Sequence, residues 1–374
     1  MKNYKFVFWG NINIHVYPLA KSLSKFADVS IIYDSKLFSN RTERKAIYEA
    51  SSTLHLIDLN QNTESIESLI KHFSNSNVIH INSRLKDDGS FVHKALTLAH
   101  NMNEKIYSLP QEGFQFQGIK GIINYFKWMY YINFKYKNIK GFGLTGYNAF
   151  HDFKHIHCSS NRIFPFLYVT MPFDLEESNQ DITTQSIRIT FVGAIDERKN
   201  IKRIISFINR NKESIAFDYQ LDIYGGYGDV NALQKCIDNN PFIIYHGIVS
   251  NEEVRKAMNE SDIVLLPSVY DGWGATINEA LQCGCRVLVS TKCGSAAMPL
   301  KYPFLGEVFN PNSEIDFISK FSLLLSKGKL QISERNKIKQ WSKIHIHPDV
   351  VAKYLINIID SKETGSSLPK NLFY

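Results

Sequence analysis

The densest concentration of reactive residue types lies in Ser261–Ser290, SDIVLLPSVYDGWGATINEALQCGCRVLVS. An apolar strand ends at Pro267, a loop carries Asp271, Gly272, Trp273 and Gly274, and a helix starts near Thr276 and includes Glu279. One carboxylate therefore sits in the loop and the other on the first helical turn, both able to face one ligand. The glycines let backbone approach that ligand closely, and a helix N-terminus favours phosphate. Each acid also has a purely structural reading. Thr276 with Glu279 three residues on fits a capping box, and Asp271 before Gly272 fits a plain turn.

A second constellation is Thr190–Ile201, TFVGAIDERKNI, where a strand runs into Gly193 and then Arg198 and Lys199. Cations beyond a strand's carboxyl end can neutralise a diphosphate. As a plain helix start the segment is mixed: Asp196 and Glu197 suit the helix dipole, whereas Arg198 and Lys199 oppose it. Two weaker signals follow, LDIYGGYGD with Gly225 and YHGIV with Gly247, Ile248 and Val249. Each is a strand ending in glycine, and each would put backbone beside a ligand at the same sheet edge.

The elements that must position these residues are strands alternating with amphipathic helices. In the first half, strands read at Tyr4–Trp9, Val29–Tyr33, Leu54–Ile57, Val78–Ile81 and Lys105–Leu109, with helices at His15–Phe26, Ser65–Phe73 and Phe91–Met102. The rhythm restarts at Ile187, with strands at Ile187–Val192, Tyr219–Tyr224, Phe242–Tyr245, Ile263–Leu266 and Arg286–Val289. This predicts an α/β chain of two Rossmann-like domains with parallel sheets, binding ligand beyond the carboxyl ends of the strands. The 374 residues suit two domains. We read an N-terminal domain over 1–170, a polar linker over 171–186, a second domain over 187–345, and a helix and tail over 346–374 that pack back toward the first domain. The tail Glu363–Tyr374 reads as loosely ordered.

Composition excludes several classes. With 44% hydrophobic and 21% charged residues the chain is neither disordered nor a coiled coil. No apolar run approaches the length of a membrane span, and the N-terminus lacks the features of a signal peptide. The five cysteines have no metal-site spacing and read as buried thiols of a reducing cytoplasm. Asp87–Asp88 reads as a surface loop, and no metal site is expected.

The order Gly193/Lys199, Gly225–Gly226, His246–Gly247, Asp271-Gly272-Trp273-Gly274, Glu279 and Gly284–Val287 resembles the retaining GT-B glycosyltransferases of family 4, over roughly Ile187–Leu300. The GWG variant with NEAL is similar to enzymes that build bacterial surface polysaccharides. The resemblance implies a GT-B fold with an interdomain cleft. It implies donor contacts from Gly193, Arg198, Lys199, Gly225, Gly247, Ile248, Val249, Asp271, Gly272, Trp273, Gly274, Ala275, Thr276 and Glu279. Glu279 would hold the ribose, Asp271 the donor sugar, Lys199 the departing diphosphate, and Gly247–Val249 the base. No cofactor or metal is implied. The co-substrate is a nucleotide diphosphate sugar, with UDP or GDP as the expected carriers. Three positions depart from the family pattern: Asp271 replaces its usual Glu, Ala194 its usual Arg, and Gln111 or Glu112 stands where a His often lies near the donor sugar. Asp271, Lys199, Gln111 and Glu112 are thus the expected catalytic set. His15 and His80 read as structural.

The reaction so implied is sugar transfer, with retention, to a hydroxyl of a glycan acceptor such as a lipid-linked lipopolysaccharide O-antigen or capsule precursor. A nucleotide-sugar epimerase and a silent sugar-nucleotide-binding partner subunit are the alternatives. Charge is uneven: residues 1–170 hold 20 Lys and Arg against 12 Asp and Glu, and residues 171–374 hold 23 against 24. Such a field favours anionic partners. Gly118–Lys140, GIKGIINYFKWMYYINFKYKNIK, interleaves five lysines with aromatics. It reads either as a helix lying on an anionic membrane surface or as an amphipathic helix packed on the first sheet. Aromatics on nearly all faces require some to be buried. No nucleic-acid-binding signature is present. The expected location is the cytoplasm, peripheral on the inner face of the membrane.

Overall fold

Apolar runs bounded by turn residues become parallel strands here because helices cover both faces of each sheet. The computed structural model describes residues 3–10, 12, 13, 15–38, 49–114, 116, 118–172, 186–238, 240–371 and 373. The chain divides into two compact units, one of Met1–Met171 with Ile346–Phe373 and one of Pro172–His345. Of the linker read over 171–186, residues 173–185 lie outside the described residues.

The first unit contains β1 (Lys5–Trp9), α1 (Val16–Leu23), β2 (Asp28–Tyr33), β3 (Leu54–Asp58), α2 (Ile66–His72), β4 (Val78–Asn82), α3 (Phe91–Asn101), β5 (Ile106–Gln111), α4 (Gly118–Tyr130), β6 (Gly141–Thr145), α5 (Gly146–His155) and β7 (Ile163–Phe166). Its sheet runs β3-β2-β1-β4-β5-β6-β7. All of its strand pairs are parallel. Ser65 and Ser90 cap α2 and α3 by accepting the amides of Ser68 and His93. α4 is packed by one face only, with Trp128 stacked on Phe114 at 4.4 Å, and it runs on into a π-type turn over Tyr131–Lys135.

The second unit contains β8 (Ile187–Val192), α6 (Ile201–Arg210), β9 (Tyr219–Tyr224), α7 (Val230–Ile237), β10 (Ile243–Gly247), α8 (Asn251–Glu260), β11 (Ile263–Leu266), α9 (Thr276–Gln282), β12 (Arg286–Ser290), α10 (Ala297–Lys301), β13 (Gly306–Phe309), α11 (Glu314–Ser326) and α12 (Ile332–His345). Its sheet runs β10-β9-β8-β11-β12-β13, again all parallel. α6 shows why such helices form. Ile201, Ile204, Ile205 and Ile208 recur at helical spacing, and all four are buried against the sheet in one core with Phe191, Leu221 and Phe317. A reciprocal capping box between Ser250 and Glu253 starts α8.

The final helix, α13 (Pro348–Thr364), belongs to the first unit. Tyr4 donates its hydroxyl to Asp360 at 2.8 Å, and Lys25 pairs with Asp349 at 2.8 Å. Of the tail read over Glu363–Tyr374, Glu363 and Thr364 close α13, and Gly365–Asn371 form no helix or strand. Glu363 is helical and pairs with Lys105 at 2.5 Å, and Phe373 is buried against Tyr354. No helix among the described residues is long and apolar enough to cross a membrane.

Candidate active site

In the second unit β8 lies between β9 and β11, so the sheet winds in opposite directions from it. Loops leaving β8 and β11 at their carboxyl ends diverge at this switch point and leave a crevice for ligand. The two loops are also tied to one another. Asn200, in the left-handed conformation at φ 62°, donates its side-chain amide to the Pro267 carbonyl at 3.1 Å. Val269 donates its amide to the Arg198 carbonyl at 2.9 Å.

That tie brings the charged residues together. Lys199 Nζ lies 2.7 Å from Asp271 Oδ2, and Arg198 Nη1 lies 3.4 Å from the same oxygen. Lys199 and Asp271 are largely enclosed, with side chains 12% and 15% exposed, whereas Arg198 reaches further into solvent. Arg198 and Lys199 do not sit on a helix start. They precede it in a turn closed by Asp196, which accepts the Lys199 amide at 2.6 Å, and α6 begins only at Ile201.

The Asp271 loop is set from below. Its amide donates to Lys292 O, and its own carbonyl accepts from Gly294, both at 3.1 Å. Gly274 has φ +87°, and a Cβ there would strike Leu266. Trp273 is buried and donates Nε1–H to Asn278 Oδ1 at 2.9 Å. Its indole therefore anchors the loop from within. The capping-box reading of Thr276 and Glu279 is corrected. Ala275 is the N-cap, it makes no side-chain cap bond, and Thr276 is the first helical residue. Glu279 stands on the first turn of α9 and is half-buried.

The glycine-ended strands line up beside these loops. Gly193 donates to Tyr224 O at 3.0 Å, Gly225 donates to Gly247 O at 2.8 Å, and Tyr245 donates its hydroxyl to Gly225 O at 2.8 Å. Gly225 has φ +134°, and a Cβ there would collide with the Gly193 carbonyl, so no other residue fits. Ile248 is exposed and Val249 half-buried just past this row. Next to it lies a group of contacts that the sequence did not announce. His246 is 2.7 Å from the buried Asp222 and stacks on Tyr224, and Arg188 bridges Asp222 and Glu260. His246 belongs to the YHGIV segment, but its contacts with Asp222 and Tyr224 follow only from the pairing of β9 with β10.

The first unit has its own switch point, between β1 and β4. A pocket of about 260 Å³ opens there, lined among others by Trp9, Asn13, His15, Arg84, Pro110 and Tyr168. Gln111 and Glu112 diverge at the end of β5. Gln111 is buried and donates its amide to Ser83 O at 2.9 Å, whereas Glu112 is half-buried and accepts from the Tyr168 hydroxyl at 2.9 Å. His15 lies edge-on to Tyr168 and reaches Val169 O at 3.4 Å, which puts it at the pocket wall. His80 is buried below. Trp9 Nε1–H can only donate, so its 3.0 Å bond fixes His80 Nδ1 as an acceptor. Burial pushes the imidazole pKa down to about 4, and Glu104 at 3.7 Å does not reverse this. Burial likewise pushes the Cys293 thiol up, beside Asp271, which keeps it protonated and inert.

Residues 173–343 match the family model described as Glycosyl transferases group 1. A Klebsiella pneumoniae protein, described as an uncharacterised 41.2 kDa protein in the cps region, is 24% identical over 274 residues, 69% of this chain and 73% of that one. The solved structure of WaaG, described as a glycosyltransferase involved in lipopolysaccharide biosynthesis, aligns over 94% of this chain and 98% of its own, at 14% identity and a TM-score of 0.59. Anabaena HepE in complex with UDP and glucose aligns over 96% and 100%, at 10% identity and a TM-score of 0.61. The fold of these structures is the one seen here, two parallel α/β units of GT-B type.

Proposed function

From a chain that carries a group 1 glycosyltransferase domain on a GT-B fold, we propose a retaining transferase that moves a sugar from a nucleotide diphosphate sugar to a hydroxyl of a glycan acceptor. The observation that carries this reading is the convergence of Lys199 and Arg198 on Asp271 at the switch point of the second sheet. Departure of the sugar builds negative charge on the diphosphate, and two fixed cations beside glycine backbone stabilise that charge as it forms. The same two cations take the part of a metal, so the transfer we propose needs none. Glu279 binds the ribose, the 247–249 turn lies against the base, and Asp271 orders the cations and meets the donor sugar. Of the two residues at the family's histidine position we take Glu112, because the Gln111 amide is committed to Ser83 O.

The acceptor we propose is a lipid-linked glycan of a bacterial surface polysaccharide. The cps-region relative and the lipopolysaccharide role in the description of WaaG support that choice. The complex of HepE with UDP and glucose supports UDP as the first carrier to try. The deciding experiment is a melting-temperature series with UDP, GDP, ADP and CMP, without added metal, followed by transfer from the sugar donor of whichever nucleotide binds. A selective rise is expected from one nucleotide, because a ligand of the native state stabilises it by mass action. The anomeric coupling constant of the product then reads retention directly. No rise at millimolar nucleotide, or an inverted product, would overturn the reading.

A further inference from the structure

α4 leaves one apolar face uncovered in the first unit. Ile119, Ile122, Ile123, Phe126, Tyr130 and, in the following turn, Phe134 are each between 55% and 81% exposed. At about 100° per residue the first five fall within an arc of about 100°, so they form one ridge along the helix. The opposite face is held: Tyr125, Trp128 and Met129 pack on the core of the unit, and Ile132 is fully buried. The ridge is thus presented outward by a helix anchored from behind. A contiguous apolar patch of this size marks an interaction surface.

Charge selects the occupant. From Gly113 to His151 the chain has no Asp or Glu, and it has Lys120, Lys127, Lys135, Lys137 and Lys140. Two of these amines lie over rings of the held face, Lys127 at 5.7 Å from the Trp128 centroid and Lys135 at 4.7 Å from that of Tyr131. A second copy of this chain would bring two lysine-rich, acid-free segments together. An anionic bilayer offers the complement of both features. Ile and Phe enter the acyl boundary, Tyr sits at headgroup depth, and lysine amines reach the phosphates.

We propose that α4 lies in the plane of an anionic membrane with this ridge immersed, seating the first unit on the lipid surface. The inference rests on the glycosyl-transfer reading only for its purpose, which is to hold the protein where a lipid-linked acceptor is presented.

Flotation of the full chain with vesicles of phosphatidylcholine, with and without phosphatidylglycerol, tests it. The protein is expected to float with the anionic vesicles at least about tenfold more than with the neutral ones, and to be released by high salt. Phe126→Asp and Ile122→Asp should each lower the bound fraction about tenfold, at an unchanged melting temperature. Ile123→Ser serves in the same assay if either aspartate variant melts early. Wild-type protein left at the bottom of the gradient at low salt overturns the proposal, as does undiminished binding by the folded variants. A concentration-dependent dimer that Phe126→Asp dissolves, without flotation, would assign the ridge to a second copy and also overturn it. Nucleotide-induced melting shifts read on the same samples separate the two ideas. Flotation without any nucleotide shift would sink the transferase reading and leave the membrane seat standing.

Discussion

Lys199 and Asp271, separated by 72 positions in the chain, meet at 2.7 Å because β8 and β11 are neighbours in the sheet. The ammonium is held before any ligand arrives, so it need not be ordered during the reaction. Lys199→Ala should lower kcat by about 10²–10³-fold, the usual scale for losing one donor to a developing anion. Steady-state transfer kinetics check this. A kcat within a factor of two of wild type would remove Lys199 from the chemistry.

Asp271→Asn keeps the shape of the side chain and removes its charge. Lys199 and Arg198 then lose their shared counter-ion. Donor diphosphate should bind at least as tightly to the variant, while kcat falls as the cations lose their fixed position. Calorimetric titration with nucleotide and transfer rates, taken together, separate this from a change of fold.

Glu279→Ala should raise the nucleotide Kd by about tenfold, near 1.4 kcal/mol, because a charged hydrogen-bonding partner of the ribose is lost. The melting temperature without nucleotide is measured beside the Kd. A lowered melting temperature with unchanged Kd would make Glu279 a structural residue.

Gly225→Ala should be severe. The added methyl meets the Gly193 carbonyl at a backbone φ that L residues rarely adopt. A loss of more than about 2 kcal/mol of stability is expected, with nucleotide binding lost at temperatures where the variant still folds. Denaturant unfolding monitored by circular dichroism measures the first, and the nucleotide-induced melting shift the second.

His80 gives the first unit a pH dependence. Its folded pKa, about 4, lies below the value of about 6.5 for a free imidazole. The unfolded chain therefore takes up a proton that the folded chain refuses, and stability falls as pH drops from about 6.5 toward about 4. A shift of this size corresponds to roughly 3 kcal/mol across that window. His80→Gln should flatten this part of the stability profile. An unchanged slope in the variant would assign the acid sensitivity to other groups.

Much of the second unit could be read from its letters. Its sheet is covered on both faces, so β11 appears as an unbroken apolar run ending at Pro267, and the largely apolar β8 and β9 run into Gly193 and Gly225. β6 could not be read this way. Its sequence, GFGLT, carries Gly141 and Gly143 where a Cβ would come within 2.9 Å of Tyr107, Phe164, Leu109 or Phe166. The large side chains of neighbouring residues fill the places its own would take, and no hydrophobic pattern remains to detect. The helix start near Thr276 was legible, but its cap was not, for a local reason. The letters fit a cap, but Gly274 at φ +87° turns the chain so that the helix begins just past Ala275. Glu112 and Tyr168 lie 56 positions apart, and nothing in their spacing announces that they touch. The lysines and aromatics of α4 were visible, but which rings face the core depends on packing against Phe114, a contact outside the helix.

The first unit is completed by α13, whose Val351, Ala352, Leu355, Ile358 and Ile359 are buried, and which reaches back to residues as early as Tyr4 and Lys25. The ribosome translates that helix after every residue of the second unit. Until it emerges, the flank of α1 that α13 covers in the finished protein has no such cover. The last hydrophobic face needed by the first unit is thus delivered by the end of the chain, after the whole second unit has been made.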